Sequence, residues 1–94
     1  MKIKNQWGVP NQFVITEEGR GALGNFIIRH TFQSYDSIIA IITKWQDRTK
    51  IEIDAGKWDY SKTTCKYRNL FLGETKKETK KKIKSGEYLL SNLN

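Results

Sequence analysis

A chain of 94 residues has room for one compact domain with a thin core, since domains run from ~50 to 250 residues and a second core could not be filled. Its composition, 37% hydrophobic and 12% aromatic, excludes the low-hydrophobicity class of disordered chains. The net charge of +7 favours anionic partners, while no apolar stretch approaches the ~20 residues of a membrane-spanning helix, so no membrane partner is expected.

Residues 1–6 lack the apolar run of a signal peptide, and Cys65 is the only cysteine, which excludes a disulfide within the chain. A reducing cytoplasmic compartment is the expectation. Phe13, Val14 and Ile15 lead into a polar, glycine-containing turn at 17–21, which predicts a hairpin. Phe26, Ile28, His30 and Phe32 then alternate with Ile27, Arg29, Thr31 and Gln33, the period-2 pattern of a strand with one buried face. His30 falls on the apolar face, where it is expected to pack its ring; no second histidine exists to share a metal. Ser34 and Asp36 are turn formers inside the polar segment 33–37. The run 37–43 is apolar and β-branched at nearly every position, which predicts a central strand covered on both faces. A turn at 45–49 precedes a shorter strand in which Ile51 and Ile53 alternate with Glu52 and Asp54 on a wet face.

From Trp58 the period becomes helical. Thr63, Tyr67, Leu70 and Phe71 recur at i, i+4, i+7 and i+8 and so share one face, with Asp59 or Ser61 as N-cap and Gly73 as C-terminal cap. Thr75 and Glu78 form a T-x-x-E capping box that opens a second helix, closed at Ser85 and Gly86. Residues 87–90 are expected as a short edge strand or an extended tail. These elements define an α+β fold: a small antiparallel β-sheet of three to five strands followed by two short C-terminal helices. The single domain spans residues 1–94, β-rich over 11–54, helical and basic over 59–85, with a tail or edge strand over 87–94.

The charge is concentrated. Residues 57–84 hold ten basic residues against three acids, so the whole net charge of +7 maps there. On the second helix Lys76, Lys77, Lys80, Lys81 and Lys84 fall within an arc of ~140° at ~100° per residue. Like charges at i,i+4 cost ~0.2–0.5 kcal/mol per pair, a cost that a bound anion removes. A solvated face that keeps the chain soluble is the plain alternative. With Lys62, Lys66 and Arg68 these lysines form the candidate partner or nucleic-acid surface. Trp58 and Tyr60 interleave with Lys57 and Lys62 as candidate stacking residues for unpaired bases, core packing being the alternative for Trp58. Lysine is a point charge, unlike the planar fork of arginine, so the cluster is suited to phosphate contact more than to base reading. No catalytic constellation, glycine-rich phosphate loop or metal-ligand spacing is present, and no enzyme activity, metal or cofactor is expected.

Residues 32–40 (FQSYDSIIA) and 58–64 (WDYSKTT), the latter running on into 66–72 (KYRNLFL), resemble a family of short, largely uncharacterised proteins encoded by bacteriophages and related mobile elements. The resemblance covers roughly residues 11–94, and the sequence departs from the pattern in an extra stretch at 19–25 and a longer turn at 45–48. It implies a non-enzymatic accessory protein in the cytoplasm of a host bacterial cell. Such a protein would bind a host protein or nucleoprotein, a CRISPR-Cas or other defence complex among them, and inhibit or redirect it. Direct binding of RNA or DNA is the alternative reading, and a virion structural or assembly protein the second. No oligomeric state follows from the sequence.

Overall fold

A computed structural model describes residues 2–4, 7–19 and 27–94. In chain order the elements are β1 (Lys2–Lys4), β2 (Gln12–Glu18), β3 (Ile28–Ser34), β4 (Ser37–Lys44), β5 (Thr49–Asp54), α1 (Lys62–Leu72), α2 (Lys76–Ser85) and β6 (Leu89–Ser91). The strands form one sheet in the order β1-β2-β3-β4-β5-β6. Neighbours from β1 to β5 run antiparallel, and β6 joins β5 in parallel. A parallel neighbour needs a long crossover, and α1 and α2 together supply it.

The expected α+β class, with a largely antiparallel sheet and two C-terminal helices, is the architecture observed. Two three-residue edge strands enlarge the sheet. One is the edge strand expected after residue 87; the other, β1, carries no alternation long enough to be read from sequence. Phe26, Arg20 and Gly21, which entered the expected strand pattern and turn, lie outside the described residues, as does most of the additional stretch at 19–25.

The β3–β4 hairpin turns on Tyr35, whose φ of 57° is left-handed, and its N–H donates to Asn11 O at 2.6 Å. A β-bulge between Phe32 and Gln33 places Ala40 opposite Phe32 and Ile38 opposite Gln33. Ile39 and Ala40 therefore both belong to the core. Asn94 closes the gap beside the bulge: its side chain accepts from Ile38 N at 2.8 Å and donates to Ile38 O at 2.9 Å.

Helix packing sorts the two sheet faces. Phe32, Ile39 and Tyr67 form one buried cluster with Trp7, Val9 and Phe71 against it. Trp7 meets the Phe32 ring edge-on at 5.6 Å between centroids, an arrangement aromatic quadrupoles favour. Ala40, Ile53 and Tyr88 form a second cluster, packed by Trp58, Leu72 and Ile83. Phe71 touches both clusters and joins them.

Two expectations need correction. β4 is not covered evenly on both faces: Ile39 and Ala40 are fully buried and Thr43 is 2% exposed, but Ile38, Ile41 and Ile42 are only half-buried. Asp54 is not on a wet face. It is 3% exposed and accepts from Leu93 N at 2.8 Å, because the C-terminal tail folds back over it.

Candidate anion-binding surface

The helix termini form as their local chemistry dictates. Ser61 caps α1, its Oγ accepting from Thr64 N, and Gly73 ends it at φ 70°. The left-handed φ favours glycine, which has no Cβ to clash. Thr75 and Glu78 complete the capping box of α2, which Gly86 ends at φ 85°.

The buried stripe of α1 differs from the expected one. Thr64, Tyr67 and Arg68 are buried and Phe71 and Leu72 partly so, whereas Thr63 is exposed and Leu70 is 54% exposed. The helix is turned by nearly one residue step of ~100° from the apolar stripe. The cause is polar: Thr64 Oγ1 and Ser34 Oγ hydrogen-bond at 2.9 Å inside the protein, tying α1 to the end of β3.

That rotation removes Arg68 from the candidate surface. Arg68 is fully buried; its Nη1 donates to Trp58 O and lies 3.5 Å from Cys65 Sγ, and its Nη2 donates to Asn69 Oδ1 at 2.9 Å. Its guanidinium carbon sits 5.1 Å from the Trp58 ring centroid, a cation–π distance. Trp58 is half-buried and packs against the second core cluster, the core alternative named for it from sequence. Tyr60 remains 46% exposed, with Lys57 Nζ 5.5 Å from its centroid.

The lysines divide into two kinds. Lys82 is held: its Nζ lies 2.9 Å from Glu74 Oε1 and 3.9 Å from Glu87 Oε2. Glu74 also accepts from Tyr88 Oη at 2.6 Å and Thr79 Oγ1 at 2.5 Å, so one carboxylate ties the inter-helix turn, α2 and the chain entering β6. Burial raises the Glu74 pKa, but the hydrogen bonds from Thr79, Tyr88 and Lys82 outweigh it and leave the pKa below the usual carboxylate value. Burial, and then the bond to Glu74, push Tyr88 up to about 12.

Lys62, Lys66, Lys77, Lys80, Lys81 and Lys84 are of the second kind. All are exposed, and none has a carboxylate partner within 4.0 Å among the described residues. Lys76 lies between the two kinds, exposed but bonded to Asp59 Oδ2 at 2.8 Å. This contact brings the start of α2 against the loop before α1. The result is an open groove of ≈ 650 Å³ lined by Lys62, Lys66 and Lys76 with Asp59, Tyr60, Ser61, Cys65 and Asn69.

Within the groove Cys65 Sγ donates to Asp59 Oδ1 at 3.1 Å. The hydrogen bonds from Lys76 and then Cys65 lower the Asp59 pKa, while burial, followed by the bond to Asp59, raises that of Cys65. Both effects favour the thiol form of Cys65 over the thiolate. Lys62, Lys66 and Asn69 recur at i, i+4 and i+7, a stripe that helical periodicity contains. The partnership of Asp59 with Lys76 crosses sixteen residues and has no sequence signal.

Among the described residues, no three His, Cys, Asp or Glu side chains are placed to hold a metal ion, and no helix is long and apolar enough to cross a membrane. Fold and surface together define a small α+β domain with one lysine-rich helical side. The chain belongs to a family of unknown function (DUF8033), which it matches over residues 2–87. Neither the curated proteins nor the solved structures contain a significant match to it.

Proposed function

We propose that this protein is a non-enzymatic accessory protein of the bacteriophage type that binds a host nucleoprotein, such as a CRISPR-Cas or other defence complex, and inhibits or redirects it. The contact surface is the lysine-rich side of α1 and α2. The observation that carries this reading is the set of six exposed lysines that, among the described residues, have no carboxylate partner within 4.0 Å, beside a seventh at the groove. A surface evolved only for solubility would gain stability from interspersed acids, as oppositely charged pairs at i,i+4 stabilise a helix and like-charged pairs destabilise it. An anion-bearing partner supplies the missing counter-charges.

Direct binding of single-stranded RNA or DNA is the second reading, favoured by Tyr60, whose half-exposed ring borders the lysine groove where a base could stack. One experiment separates the two. The tagged protein is used to capture partners from bacterial lysate with and without nuclease, and free RNA and DNA are titrated by fluorescence polarisation over a salt series. The nucleoprotein reading expects a protein partner that survives nuclease treatment and is lost when Lys77, Lys80, Lys81 and Lys84 become Gln. Tight binding to free single strands, with a log–log salt slope near ~−4 for six phosphate contacts, establishes the second reading instead. Capture unaffected by the lysine replacements overturns both.

A further inference from the structure

The sheet face opposite the helices carries an uninterrupted cross-strand row. Successive registers align Ile3 with Ile15, Ile15 with Thr31, Thr31 with Ile41, Ile41 with Glu52, and Glu52 with Leu89. The row spans all six strands. It lies away from α1 because the alternate residues Val14, His30 and Ile42 share a cavity with Leu70 and Phe71 of that helix, and successive strand residues point to opposite faces. Ile3 is 61% and Leu89 46% exposed, Ile15 and Ile41 are half-buried, and Thr31 between them is 7% exposed.

We infer that this face is a two-fold interface between copies of the chain. The charge distribution selects a second copy as the occupant. The whole chain carries +7, so most approaches of one copy to another are repulsive, yet among the described residues this face carries Glu17 and Glu52 against Arg29 and Lys50 and is balanced. Asp54, on the same face, is closed off by the tail through its bond to Leu93.

The pattern is also self-complementary. A two-fold axis along the strands, midway between β3 and β4, sets β2 of one copy over β5 of the other. Glu17 then faces Lys50 of the second copy, Ile3 faces its Leu89, and Thr31 its Ile41. Ile15 falls over Glu52, whose carboxylate lies 3.7 Å from Lys50 of its own chain. Five strand spacings of ~4.8 Å by about six residues of ~3.3 Å give roughly 500 Å² per copy, or ~1,000 Å² in total, at the lower limit for a specific interface. A weak dimer follows. The inference uses none of the groove lysines and stands independently of the proposed function.

Sedimentation velocity of the full chain from ~10 to ~500 µM, a window that brackets a micromolar dissociation constant, tests it. The expected result is a shift with concentration from 11.0 kDa toward twice that mass. Ile41→Lys should abolish the shift with an unchanged circular dichroism spectrum. Should that variant unfold, the charge pair decides: Glu17→Lys and Lys50→Glu should each weaken the dimer at least tenfold, and the double reversal should restore it. A constant mass of 11.0 kDa across the window overturns the inference. So does a dimer indifferent to the single charge reversals.

Discussion

Arg68 shows how little a residue's charge says about its position. Beside Lys66 and in a basic stretch it reads as a surface cation, but Thr64 turns α1 so that position 68 points inward, and the guanidinium is retained by Trp58 O, Asn69 and the Trp58 ring. Arg68→Ala opens a cavity and leaves the Trp58 carbonyl without its donor, so it should cost about 3 kcal/mol in urea unfolding. Arg68→Met keeps most of the volume and removes a buried charge, and should cost less than half as much. His30 follows the expectation of a packed ring more closely, being half-buried with its Nδ1 3.1 Å from Thr16 Oγ1. Burial and then Lys44 lower its pKa below the usual 6.5. The unfolded chain therefore takes up a proton first as pH falls, so stability should decline from pH ~6.5 down to the folded pKa and then level off. His30→Gln should flatten that segment of a pH–stability profile measured by thermal unfolding.

At the scale of elements, signals carried by neighbouring residues translated directly into structure. The Ser61 cap, the Thr75–Glu78 box and the glycines at 73 and 86 depend on groups within one helical turn and sit where local chemistry puts them. The lysine arc of α2 is equally local, since helix geometry alone assigns those positions to one side. Lys80 has a lysine four residues away in each direction, so Lys80→Gln relieves two repulsive pairs of ~0.2–0.5 kcal/mol each. The variant should melt slightly higher than the parent at low ionic strength, and the gain should vanish in high salt. Lys82→Gln should do the reverse and melt lower, because it removes a bond to the carboxylate that joins α2 to Tyr88. Equal effects from the two variants would show that position along the lysine run, and not tertiary partnership, sets the outcome.

At the scale of the molecule, α1 and α2 pack on one side of the sheet, and among the described residues no helix packs on the other. The two sides consequently have different chemistry: a strongly cationic helical side, and a sheet face that is charge-balanced among the described residues and crossed by isoleucines. Strand alternation, the change to helical period at residue 58, the caps and the placement of all net charge within 57–84 were determined by the sequence itself, because each depends on residues close together in the chain. Only the tertiary structure decided which lysines are held by carboxylates and which are not, that Arg68 and Asp54 are buried, and that β4 is unevenly covered. Those outcomes rest on contacts such as Ser34 with Thr64, Asp59 with Lys76 and Asp54 with Leu93, between residues separated by many positions. Side chains of one chemical type are free to take either role until the packed backbone brings a partner within hydrogen-bond reach, and that distance is set by the fold and not by the local pattern.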